Sequence, residues 1–137
     1  MRQAMPGERL MSTVISAPDE SRVRMIRVAS EFTRTPGGRS PRNGKWNGEE
    51  FRKRWLEPAL REVPSRYERV VVDLDGVDTY IGSFLEEVFG GLLRGTFAHV
   101  SDAARALEIR ATGEFTVFRD LALDYMNQQD RKNAISG

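Results

Sequence analysis

An α/β domain with a mixed sheet of about four strands flanked by helices is predicted by three observations. Val70, Val71, Val72 and Leu74 form a short apolar run rich in β-branched residues, the pattern of a strand buried on both faces. After the turn residues Asp75 and Gly76, the residues Phe84, Leu85, Val88, Phe89, Leu92 and Leu93 recur at helical spacing, with Glu86, Glu87 and Arg94 opposite them. Strand-like and helix-like segments then alternate along the remaining chain, which is the order of an α/β layer.

The elements follow in chain order. Residues 1 to about 10 are polar and aperiodic, and 1–20 is expected to be a flexible extension, although Met11–Ala17 has the composition of a short edge strand before a turn at Pro18–Ser21. Arg22–Phe32 alternates and predicts a strand with Val23, Met25 and Val28 inward and Arg22, Arg24 and Arg27 solvated. Thr33–Gly48 carries four glycines, two prolines and the cations Arg34, Arg39, Arg42 and Lys45. It reads as a mobile surface loop. Asn47 with Glu50 three residues on predicts a helix cap, and Phe51, Trp55, Leu56, Ala59 and Leu60 the buried side of the helix, with a kink or restart at Pro58. Phe97–Ala104 favours no element, Arg105–Ala111 suits a strand, and Thr112 or Gly113 opens a last helix. The domain is expected over 21–128, with 129–137 a polar tail.

Composition narrows the function. The chain has 137 residues, enough for one domain, and no cysteine, which removes disulfides and thiolate chemistry; a single histidine, His99, removes multi-histidine metal sites. No window approaches the ~20 apolar residues of a membrane span, and no secretion signal is evident, so a cytoplasmic protein without membrane contact is expected. Residues 1–54 hold 12 basic and 6 acidic side chains, net +6, and the remainder 9 and 14, net −5. A basic 34–54 segment containing Arg39, Arg42, Lys45 and Arg52–Arg54 is one route to nucleic-acid binding, although a solvated face explains it as well. The Gly-rich loop lacks GxxxxGK[ST] and lacks GxGxxG after a strand, so a phosphate cradle has no motif behind it.

The stretch VVVDLDGV (70–77) resembles the nucleophile motif of haloacid-dehalogenase-type phosphatases. That resemblance would make Asp73 the nucleophile and Asp75 the acid/base of a Mg²⁺-dependent phosphohydrolase. The downstream Lys and acidic pair of that chemistry are missing in order, since Lys132 follows Asp120 and Asp124. Two carboxylates ending a strand and accepting loop N–H groups is the plainer reading.

Ser83 followed by Glu86 has the spacing of a capping box. A hydroxyl at that place, beyond the end of a parallel strand, would also stand at the usual ligand edge of the sheet. A phosphate there would add ~−2 charge beside Asp75, Asp78, Glu86 and Glu87.

Val70–Leu93 resembles the centre of STAS domains, the fold of anti-sigma factor antagonists, in which an apolar strand leads to a serine that opens an amphipathic helix. Ser83 falls on the serine that partner kinases phosphorylate in those antagonists, whereas Ile81 and Gly82 stand where they carry Asp and a first Ser. A closer resemblance, over roughly Gly44 to Ile109, is to a STAS-like family of unknown function, carried by WNGEEFRKRWLEPAL, VVVDLDGV and GSFLEEVFGGLL. It implies a single STAS-like domain and a non-catalytic regulatory module without a cofactor. Its expected protein partner is a histidine-kinase-like ATPase or an anti-sigma-type regulator, a homodimer being left open. The surface so implied comprises Asp75, Asp78, Tyr80, Gly82, Ser83, Glu86 and Glu87. Gly90 and Gly91, each costing a helix ~1 kcal/mol relative to Ala, call for a close approach of another backbone.

Overall fold

The computed structural model describes residues 22–136. Strands β1 (Val23–Arg27), β2 (Arg69–Asp73) and β3 (Leu107–Arg110) form one sheet in the order β1-β2-β3, and both pairings are parallel. Among the described residues the sheet is therefore parallel with three strands, rather than mixed with about four. The fourth candidate, Met11–Ala17, lies outside the described residues, as do the leader and the turn at 18–21.

The triple valine forms the central strand, flanked on both edges, and Val70, Val71 and Val72 have no exposure. The register sets Arg24 and Ile26 beside Val70 and Val72, and these beside Leu107 and Ile109. Side chains alternate across a strand, so these six share one face. They face the helices: α1 (48–60), α2 (82–92), α3 (Val100–Ala106) and α4 (Thr116–Ser136). Strand order runs without reversal, and right-handed crossovers then place every connecting helix on the same side of the sheet. Ile26, Val70, Val72 and Leu107 accordingly join Phe51, Leu56, Leu60, Leu85, Leu92, Ala103 and Met126 in one core.

β1 is shorter than its alternation suggests, and its faces are exchanged. It ends at Arg27, and Val28–Phe32 forms a single wide helical turn that buries Val28 and Phe32. Ile26 rather than Val23 or Met25 is fully buried, because pairing with Val72 turns it to the helices. Arg24 shares that face at the sheet margin, where it reaches Glu31 at 3.1 Å.

Asn47 caps α1 as its spacing predicts. Its Oδ1 accepts from the Glu50 backbone N–H at 2.9 Å while its Nδ2 donates to Gly44 O at 2.8 Å. Such a cap contributes about 1 kcal/mol. The helix widens to π geometry over Arg52–Leu56 and resumes at Glu57–Leu60. The widened turn sits immediately before Pro58, whose missing N–H leaves the Arg54 carbonyl without a helical donor. Phe97–Ala104 resolves into a loop and the start of α3, so β3 begins at Leu107 instead of Arg105. A short 3₁₀ turn, Gly113–Phe115, then leads into α4. Residues after Gln128 are polar and helical. Asp130 accepts from Val100 N at 3.1 Å, and Asn133 donates to Leu93 O at 2.7 Å.

The Gly-rich basic loop is held by its own backbone. Gly37 N donates to Trp46 O at 2.7 Å, Gly48 N to Gly38 O at 2.9 Å and Glu49 N to Arg39 O at 2.9 Å. These N–H groups are spent inside the loop, and it is a tied structure rather than a loose connection.

Candidate functional site

The site is built where β2 runs into the loop 74–81 and the start of α2. Asp73, at the end of the strand, accepts the Asp75 backbone N–H on Oδ1 at 2.9 Å and lies 4.0 Å from Arg27. Asp75 turns its carboxylate the other way. Its Oδ1 accepts from Thr112 N at 2.9 Å and its Oδ2 from the Thr112 hydroxyl, which ties the loop to the one that follows β3. Gly76 takes φ +94, and a Cβ there would stand 3.2 Å from the Ala29 methyl, so two constraints favour glycine. The Asp78 N–H donates to Arg34 O at 2.8 Å, fixing the loop against the Gly-rich segment.

Tyr80 folds inward. It is buried, and its hydroxyl donates to Leu74 O at 2.7 Å. Burial, with the nearby charges of Asp73 and Asp75, pushes its phenol above the ordinary value, so it stays a neutral donor. Asp78, Thr79 and Ile81 face solvent, Ile81 being 49% exposed.

Ser83 is half-buried and is the second residue of α2, not its cap. Ile81 holds the cap position, and no side-chain cap bond forms. The capping box suggested by the spacing is absent because the helix begins at Gly82, which leaves Ser83 inside its first turn, and the other half, Glu86, is drawn elsewhere. Its Oε2 accepts from Arg94 at 2.7 Å, and its Oε1 from Arg39 at 2.5 Å. Burial alone would raise the carboxyl of Glu86, but the bonds from Arg94 and Arg39 outweigh it and lower the pKa to about 2. Arg39 is raised in turn, mainly through its bond to Glu86. Gly82 leaves space for α4, since a Cβ there would lie 3.0 Å from the Tyr125 hydroxyl oxygen.

Glu87 is bound tighter still. Arg52 crosses from α1, donating through Nη2 to Glu87 Oε2 at 2.6 Å, through Nη1 to Glu57 Oε2 at 2.7 Å, and through Nε to the Glu87 carbonyl at 3.0 Å. That carbonyl is open to Arg52 because α2 widens over Glu86–Gly90 and Gly91 N donates to Glu86 O, five residues back, instead of to Glu87 O. The pair Gly90 and Gly91 finds its reason at the same place. A Cβ on Gly91 would stand 2.5 Å from Arg52 Nε, and one on Gly90 would stand 2.6 Å from Glu86 Oε2. What comes close to the glycines is a guanidinium and a carboxylate, not the expected second backbone.

The seven predicted surface residues thus divide. Asp78 is presented, Gly82 and Ser83 lie half-covered at the helix start, and Asp75, Tyr80, Glu86 and Glu87 are committed to internal bonds. Sequence reasoning missed a 220 Å³ groove beside the loop, lined by Asp78, Thr79, Glu114, Phe115, Val117 and Phe118. Val117, 59% exposed, was the available signal, an apolar residue in the first turn of a helix whose apolar stripe runs through Phe118, Leu121 and Ala122.

With strand, loop and helix in this order, the comparison with known families is direct. Residues 47–102 match the family model described as a STAS-like domain of unknown function. No curated protein and no solved structure matches. The STAS-like match begins at the Asn47 cap, takes in β2, the loop and α2, and ends within α3. It covers the three sequence motifs that carry the resemblance except Trp46. Among the described residues no group of three or more His, Asp or Glu side chains is placed to hold a metal ion, and no helix is long and apolar enough to cross a membrane.

Proposed function

We propose that this STAS-like domain is a non-catalytic regulatory module that offers the tip of the 74–81 loop and the start of α2 to a protein partner. The supporting observation is the contrast within the loop. Bonds at Asp75, Asp78 N and Tyr80 hold its backbone, while the side chains of Asp78, Thr79 and Ile81 are left to solvent beside a groove with an exposed valine. Rigid presentation of a small apolar and acidic surface reduces the ordering cost of association. The partner suggested by the resemblance is an anti-sigma-type regulator or a histidine-kinase-like ATPase. Ser83 is the residue through which such a partner would switch binding, as a phosphate there would add negative charge next to Glu86 and Glu87.

The internal commitments of Asp73 and Asp75 favour binding over phosphoryl transfer, because Asp75 spends both oxygens on Thr112. Capture from lysate with wild-type protein and the Ile81→Asp, Ser83→Ala and Ser83→Asp variants tests the reading. It predicts a partner retained by wild type and Ser83→Ala and lost with Ile81→Asp and Ser83→Asp. Identical partners for all four would end it.

A further inference from the structure

The groove beside the loop joins two segments that are distant in the chain and opens onto solvent. The loop contributes Asp78 and Thr79, both exposed. The 3₁₀ turn and the first turn of α4 contribute exposed Glu114, Val117 with more than half of its surface open, and the half-buried rings of Phe115 and Phe118. Phe118 is backed by Tyr80, whose ring lies 5.2 Å away and edge-on.

Both sides of the groove are held in place. Asp75 ties the loop to Thr112 N at 2.9 Å, two residues before Glu114. Phe115 N donates to Thr112 O at 3.0 Å and the Thr116 hydroxyl to Gly113 O at 2.9 Å, which closes the turn that carries Glu114. Asp78 is fixed through its own N–H to Arg34 O. The surroundings are acidic as well. Residues 114–124 carry Glu114, Asp120 and Asp124 against Arg119 alone, and Arg119 is bonded to Asp120 at 3.1 Å.

Size and charge together select an occupant. The groove measures about 220 Å³, below the roughly 300–1,000 Å³ of ordinary small-molecule sites. One long side chain of a protein partner needs no more. Carboxylates set around an apolar, aromatic lining suit a cation with an apolar stem. An arginine stem lies along apolar surface, and its planar guanidinium bonds carboxylates through a fork of donors while stacking on aromatic rings. We propose that the groove receives an arginine side chain of the protein partner, with its stem against Val117 and Phe118 and its guanidinium at Asp78 and Glu114. The inference rests on the loop reading and adds the chemistry of the residue that the partner inserts.

The probe is a capped peptide, Ala-Leu-Arg-Leu-Ala, compared with the same peptide carrying lysine or uncharged citrulline in place of arginine. Titrated at low salt into isotope-labelled full-length protein, the arginine peptide is expected to shift the amide signals of Asp78, Glu114 and Val117. The lysine peptide should bind more weakly and the citrulline peptide about tenfold more weakly or worse. D78N/E114Q should weaken the arginine peptide about tenfold or more without lowering the melting temperature, and V117S should weaken it less. Equal binding of the lysine or citrulline peptide, unchanged affinity in D78N/E114Q, or no shift at 78 and 114–118 would overturn the proposal. So would the same amides shifting in R2Q/R9Q without peptide, which would make this chain the occupant, or a full-length dimer that dissociates in D78N/E114Q. In capture from lysate, loss with Ile81→Asp and full retention with D78N/E114Q would end this inference and leave the loop reading standing. Retention in both variants would end the two together.

Discussion

Asp78 to Ile81 and Glu86 to Glu87 are near neighbours in the chain and are treated in opposite ways by the fold. The first group is fixed through its backbone and leaves Asp78, Thr79 and Ile81 exposed; the second is fixed through its side chains, with Arg39, Arg52 and Arg94 closing over both carboxylates. The lesson is that acidity near a binding loop does not by itself mean availability. Glu86 and Glu87 fasten α2 to the Gly-rich loop and to α1, and that fastening is what lets the tip be rigid and still open.

The contrast can be broken from the fastened end first. Arg52→Ala leaves Glu57 and Glu87 together without their shared cation, each side chain being less than one-sixth exposed, and should cost about 3 kcal/mol in chemical denaturation. Gly91→Ala drives a methyl against Arg52 and should cost about 2 kcal/mol, with a smaller penalty when combined with Arg52→Ala, since the double variant no longer contains the clash. Tyr80→Phe strands the Leu74 carbonyl in the interior, for about 1 kcal/mol.

Acid should loosen the same end. The carboxyl of Glu86 titrates at about 2 in the fold against the ordinary 4.5. A lowered folded-state pKa means that its contribution is complete above the unfolded value and is lost as pH falls from about 4.5 through about 2. The melting-temperature gap between wild type and Glu86→Gln should therefore narrow over that window; a gap independent of pH would refute the ionic origin. At the open end, Ile81→Ser should change stability by no more than about 0.5 kcal/mol while weakening partner capture.

What could be read in advance followed the same division between local and distant causes. The triple valine, the Asn47 cap and the stripe from Phe84 to Leu93 depend on neighbouring residues, and each stands where its spacing indicates. Ser83 failed as a cap because α2 begins one residue earlier, at Gly82, and Glu86 is held instead by Arg39, far away in sequence. The exchange of faces in β1 had a similar origin: alternation shows two faces, and only pairing with β2 decides which one meets the helices. Gly90 and Gly91 signalled a close approach, but nothing local could say that Arg52 makes it. Of the groove only Val117 could be read in advance, because the groove joins a loop and a helix that meet only in the folded chain.

The passage of Arg52 through the widened turn of α2 has a mechanical consequence. A side chain seated against Gly91 and bonded to a helix carbonyl acts as a key in a slot, so α2 cannot slide along or roll over α1 without withdrawing it. One helical turn of slippage, about 5.4 Å, would tear both guanidinium bonds to Glu87 at once. Force applied at the tip of the loop is therefore passed to α1 as a unit rather than absorbed by shear between the two helices.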